Sequence, residues 1–112
     1  MGQKLSSICA LNFTVTLTSD VSTHRFVNVN AAQAGDGEAA IGVAANDEKL
    51  GRDVAVEAIG VFDMIAGAAI AKGAEVQSDA NGKPIIKAAG AANGLALTAA
   101  ANPGDIVKIL IK

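Results

Sequence analysis

Asn12-Phe13-Thr14-Val15-Thr16-Leu17-Thr18 alternates an apolar side chain with a polar one at every step. A period of two puts Phe13, Val15 and Leu17 on one face of an extended strand and the threonines on the other, the pattern of a strand buried on one side. Working outward, residues 25–29 repeat it around Phe26 and Val27, residues 41–44 read as a short buried strand, and residues 53–59 alternate again. Ala34-Gly35-Asp36-Gly37 is a turn, because Gly and Asp tolerate the backbone angles of tight reversals. Residues 74–78 and 83–87 flank Asp79-Ala80-Asn81-Gly82 as a hairpin, and residues 94–97 and 105–111 complete the set. Helical periodicity is weak. Residues 62–70 predict one or two short helical turns, interrupted by glycines, and the Ala-rich pieces 44–49 and 98–101 one turn each. The fold class is mainly β.

Two stretches echo each other. Ile41-Gly42-Val43-Ala44, a polar connector and Gly51-Arg52-Asp53-Val54-Ala55-Val56 are matched by Asn93-Gly94-Leu95-Ala96, a connector and Gly104-Asp105-Ile106-Val107-Lys108-Ile109. Gly42 and Gly94 lie 52 positions apart (94 − 42), Gly51 and Gly104 lie 53 apart (104 − 51). An internal pseudo-duplication, two like β units covering each other's edges, accounts for this spacing. Chance similarity in a chain rich in Ala, Gly and Val is the competing account.

Composition narrows the function. Of 112 residues 51% are apolar but only 3% aromatic, with no Trp or Tyr, so many positions are hydrophobic yet few side chains bury much area. Such a core gains from self-association. The missing large rings disfavour sugar binding and base stacking. A net charge of −2 without a basic cluster gives no footprint for nucleic acid or an anionic membrane, and no apolar run reaches membrane-spanning length. Cys9 is the lone cysteine, which excludes an intramolecular disulfide and multi-cysteine metal sites. Met1-Gly2-Gln3-Lys4-Leu5-Ser6 fits the short N-myristoylation pattern, and residues 5–11 make a poor signal-peptide core.

No constellation for catalysis, cofactor or metal emerges. His24 reads as a solvent-facing residue at a strand start; a triad built on it lacks a Gly-x-Ser-x-Gly elbow. Cys9 sits among Ile8, Ala10 and Leu11, where burial works against a thiolate. Asp79-Ala80-Asn81-Gly82 lacks the other ligand positions of a calcium loop and reads as turn chemistry. Gly35-Asp36-Gly37 lacks the Lys-Ser/Thr of a phosphate loop. Lys83 follows a turn but without the neighbours of a lipoyl-type carrier. The chain reads as a non-enzyme.

The segment from Asp36-Gly37-Glu38-Ala39-Ala40-Ile41-Gly42-Val43-Ala44 through Ala58-Ile59-Gly60-Val61-Phe62 resembles phage head decoration proteins of the lambda type. Ile70-Ala71-Lys72-Gly73-Ala74-Glu75-Val76, Asp79-Ala80-Asn81-Gly82-Lys83, Gly94-Leu95-Ala96-Leu97 and Gly104-Asp105-Ile106-Val107 are similar to the wider group of phage capsid cement proteins. The likeness covers roughly residues 31–112. It implies a small β-barrel or β-tulip-like domain, residues 21–112, after an N-terminal arm and first strand, residues 1–20. It further implies a structural virion protein that binds the outer face of the capsid and stabilises the shell. The expected partners are the major capsid protein and the protein itself, as a homotrimer made in the host cytoplasm; no cofactor, nucleic acid or membrane is expected. Leu5, Ile8, Leu11 and Phe13 are the expected capsid contacts. The alternative is a β-clip-like module binding a small anionic or sugar ligand, suggested by residues 70–76.

Overall fold

The first strand starts at Ser7, upstream of the alternating stretch, although Cys9-Ala10-Leu11 interrupts the alternation. The computed structural model describes residues 5–112, so residues 1–4, with most of the N-myristoylation pattern, lie outside it. Strand β1 (Ser7–Thr16) runs antiparallel along β4 (Asp53–Ile65), the longest strand. The others are β2 (Phe26–Asn28), β3 (Ala40–Ala44), β5 (Glu75–Ser78), β6 (Pro84–Ile86), β7 (Gly94–Ala96) and β8 (Ile106–Ile111). The sheet order is β2-β3-β4-β8-β7-β5-β6, with β1 attached to β4 outside this path. Glu57 pairs with both Asn12 and Val43, and Gly60 with both Cys9 and Ile111. A strand has two edges, so β1 occupies one edge of β4 while β3 and then β8 share the other.

The ends of the path meet. Phe26 N–H donates to the Gly82 carbonyl at 2.9 Å, the Arg25 guanidinium to the Asn81 carbonyl at 2.9 Å, and Gly67 N–H to the Pro84 carbonyl at 2.9 Å. These bonds nearly close the sheet into a small barrel.

The internal echo is larger in space than in sequence. Leu17 N–H donates to the Arg52 carbonyl, as Ala66 N–H does to Asp105; Val21 and Glu48 exchange two backbone bonds, as Ile70 and Ala100 do. His24 N–H donates to the Ala44 carbonyl at 2.8 Å, and Gly73 N–H to Ala96 at 2.8 Å. The cores match as well. One cluster is built of Leu17, Val21, Val27, Ala44, Val54 and Val56. Their counterparts Ala66, Ile70, Val76, Ala96, Val107 and Ile109 lie in the other, which adds Phe26, Val43, Phe62 and Met64. The chain thus folds as two like units sharing β4, which closes the first with its N-terminal half and opens the second with its C-terminal half.

The predicted helical turns do not form: the described residues contain no helix. Residues 62–65 complete β4, because β8 offers a full ladder of partners from Gly60 to Ile65, and propensity yields to that pairing. Ala44 ends β3, and residues 45–49 and 98–101 are irregular connectors pinned by the Val21–Glu48 and Ile70–Ala100 bridges.

Register slips occur where β1 passes Gly60, between Cys9 and Leu11 and again between Leu11 and Asn12. A Cβ at Gly60 (φ 150°) would collide with the Ile8 carbonyl oxygen, whereas one at Gly51 (φ 84°) would meet nothing within 4 Å. Gly51→Ala should therefore cost only the left-handed backbone penalty of about 1–2 kcal/mol. Gly60→Ala should cost more, on the order of 3 kcal/mol. Denaturant titration of both variants checks this, and equal losses would contradict the crowding at Gly60.

Candidate interaction surface

Cross-strand pairs place their side chains on the same face of a sheet. Ile8 pairs with Val61, Val61 with Leu110, and Leu110 with Leu95, so four aliphatic side chains form a row across β1, β4, β8 and β7. Their chain neighbours Phe62, Ile109 and Ala96 point the other way, into the core. Next to the row, Leu11 pairs with Ile59, and both are exposed. Ile8 is 76% exposed and Leu11 50%. Three of the four expected contact residues, Ile8, Leu11 and Phe13, therefore lie in β1, with half-buried Leu5 just before it. Ile59, Val61, Leu110 and Leu95 extend the patch and were not found from sequence, because cross-strand register is invisible in a linear pattern.

Phe13 and Phe62 occupy matching positions in the two units, yet Phe62 is fully buried and Phe13 is 41% exposed. What covers Phe62 is His24, its ring edge-on to the Phe62 ring at 6.0 Å between centroids and 77° between planes. The expectation of a solvent-facing His24 is therefore wrong: it is buried, with φ 52° where the second unit has Gly73 at 88°. Its Nδ1 lies 2.6 Å from the Asp63 carbonyl oxygen, which can only accept, so Nδ1 carries a hydrogen. Nε2 lies 3.4 Å from Glu57 Oε1, and Ser7 Oγ donates to Glu57 Oε2 at 3.3 Å. The imidazole is thus a strut tying the loop before β2 to both halves of β4. Burial of such a residue depends on partners distant in sequence, hence the misreading.

Asp63 is buried on the patterned face. Burial alone would raise its pKa; the Lys108 ammonium at 2.7 Å, the Ser6 hydroxyl at 2.8 Å and the Ser6 N–H at 3.2 Å outweigh that and hold it below the usual carboxylate range. Asp79 Oδ1 accepts the N–H groups of Asn81 and Lys83, and Asp105 Oδ2 those of Ala101 and Asn102, turn chemistry in both cases. The partly buried Cys9 thiol donates to the Leu11 carbonyl at 3.3 Å. Within residues 70–76, Ile70 and Val76 are core and residues 71–73 an exposed turn. The depression beside it, about 310 Å³, is lined by Glu75, Asn93, Leu95, Leu110 and Lys112. Among the described residues every buried side-chain nitrogen and oxygen has a hydrogen-bond partner.

A near-closed barrel whose buried polar groups bond internally, and whose aliphatic side chains are displayed across one face, defines a structural binding module. The family model described as phage cement protein matches residues 6–111, and the chain belongs to that family. It is a structural, capsid-associated protein of a bacteriophage virion. Among solved structures, the head fiber gp8.5 N base of bacteriophage phi29 shares the fold at a TM-score of 0.73 and 20% identity, over 91% of this chain and 93% of that one. No curated protein matches the chain.

Two outcomes follow from these buried contacts. His24→Ala strips the cover from Phe62 and leaves the Asp63 carbonyl without its donor, and should lower unfolding stability by about 2–4 kcal/mol, read by chemical denaturation. A loss within experimental error would show the imidazole to be mere filler. Because the Asp63 pKa is depressed on folding, its stabilisation is complete above the ordinary carboxylate value of 3.8 and is lost as pH falls through the folded value. Asp63→Asn should accordingly flatten the acid limb of the stability profile between about pH 2 and 5.

Proposed function

We propose that the protein binds the outer face of the phage capsid as a homotrimer, contacts the major capsid protein, and stabilises the shell without catalysing a reaction. In this reading residues 1–20 carry the capsid contact, through Leu5, Ile8, Leu11 and Phe13, and residues 21–112 form the body. The protein is made in the host cytoplasm and ends on the virion surface. The observation that carries the reading is the aliphatic row from Leu95 through Leu110 and Val61 to Ile8, continued by Leu11 and Ile59. A contiguous apolar face of this kind marks an interaction site, whereas single exposed residues are ordinary. Membership of the cement family supports the capsid as the partner. The thin core supports self-association, and a trimer engaging several capsid subunits at once gains through effective concentration what each small contact lacks.

The test compares two double variants on expanded capsids that lack the protein. Ile8→Ser with Leu11→Ser alters the row, while Val29→Ser with Leu50→Ser alters exposed residues elsewhere. The first pair should weaken binding at least about tenfold, equivalent to 1.4 kcal/mol, and the second should not. Equal affinities for both would refute the assignment of this face.

A further inference from the structure

We propose that β1 pairs edge to edge with β1 of a second copy across a two-fold axis, joining two barrels into one continuous sheet. This contact is made by the backbone edge of β1 and does not depend on the capsid reading, although it brings Ile8 and Phe13, two of the side chains assigned to the capsid, beside the second copy.

The free edge of β1 is defined by its hydrogen-bond phase. In an antiparallel ladder alternate residues turn both backbone groups toward the neighbour and the residues between turn theirs away. Leu17 N–H donates to the Arg52 carbonyl, so Leu17, Val15 and Phe13 face β4, while Thr16, Thr14 and Asn12 face outward. At the other end the Ser6 carbonyl accepts the Asp63 N–H, so Ser6 and Ile8 face β4, while Ser7 and Cys9 face outward. The slip around Leu11 changes the phase between the halves. In the second unit, the counterpart of the Thr14 N–H is that of Asp63, which is satisfied by Ser6. Among the described residues the outward backbone groups of Ser7, Cys9, Asn12, Thr14 and Thr16 have no protein partner.

Proteins protect such edges with charge, proline or brevity. The ends of the sheet path follow that rule: β2 and β6 are three residues each, β6 begins at Pro84, and both are met by other backbone. Strand β1 breaks it. Ser7–Thr16 is ten residues, about 33 Å long, with no charge, proline or glycine.

The occupant follows from the strand's own symmetry. With the two-fold between Leu11 and Asn12, Ser7 stands opposite Thr16 of the second copy and Cys9 opposite Thr14. All four are outward-facing residues, so the phase slip makes the edge complementary to itself. Ile8, the most exposed large apolar residue of the strand, then lies opposite Val15, and the partly exposed Phe13 opposite Ala10. No like charges oppose each other, since the strand has none. A heterologous strand-to-strand ring is excluded by the absence of a second long edge among the described residues. A three-fold trimer contains no two-fold axis, so this contact would join copies from neighbouring trimers.

The full chain carrying Ser7→Cys and Thr16→Cys, with Cys9→Ala, tests the register, because opposed residues bring Cα atoms to about 5.5 Å, within disulfide range. Mild oxidation should give a covalent dimer on a denaturing gel and no higher ladder, while neither single cysteine variant cross-links. Absence of the dimer, a ladder, or cross-linking by one cysteine alone would overturn the pairing. Amide exchange on the unaltered protein provides the second arm. The amides of Ser7, Cys9, Asn12, Thr14 and Thr16 should exchange at least about tenfold more slowly at high protein concentration than after dilution. Fast exchange at every concentration, with protection appearing only on added capsids, would assign the edge to a capsid strand instead.

Discussion

The structure depends on β4 being paired along both edges. Its thirteen residues give β1 a partner on one side and, on the other, serve β3 and then β8. Each unit borrows this strand, so neither core closes without it. That constraint makes Gly60 sensitive, because β1 lies tight against it where β4 passes from one unit to the next, with the Ile8 carbonyl and Cys9 Cα where a Cβ would stand. It also explains why residues 62–65 extend rather than coil: an interrupted β4 would leave β8 without its ladder.

Duplication lets a chain with few large side chains build a core at all. Leu17, Val21, Val27, Ala44, Val54 and Val56 and their counterparts are mostly valine- and alanine-sized, and each contributes little transfer free energy. The larger cluster adds Phe26, Val43, Phe62 and Met64, side chains that bury more area each. The two units differ at the junction. His24 stands at the left-handed position where the second unit has Gly73, with an unfavourable φ for a side-chain-bearing residue, and there it covers Phe62 and braces Glu57. Phe13 has no such cover, so the first unit remains open at the position where the second is sealed.

Much of this was legible in the sequence for a physical reason: side-chain alternation is local. Residues 12–18, 41–44, 74–78 and 105–111 each announced a strand, and the Gly42/Gly94 and Gly51/Gly104 spacing exposed the duplication. The start of β1 was missed because Cys9-Ala10-Leu11 breaks the alternation at the slip. The end of β4 was missed because a Gly-flanked apolar run fits a helix and a buried strand equally well. His24 was misplaced because nothing in Ser22-Thr23-His24-Arg25 reveals that Asp63 and Glu57 will meet its ring. Of the exposed face, Ile8, Leu11 and Phe13 could be named as apolar residues without an evident core partner. Val61, Leu110 and Leu95 could not, because they alternate with core residues on strands that touch only in three dimensions.

A capsid-bound structural role agrees with how the polar and apolar groups are divided. Asp63, Asp79, Asp105, Glu57 and His24 hold backbone or neighbouring side chains in place. The aliphatic face is the reverse case: Ile8 is largely exposed and Leu11 and Ile59 partly so, and that exposure costs solvation that a partner recovers. For one molecule that area is modest. Repeated over a lattice, with rigid barrels presenting the same face in the same orientation, weak contacts act together, and a rigid near-closed sheet is what keeps that face from rearranging between copies.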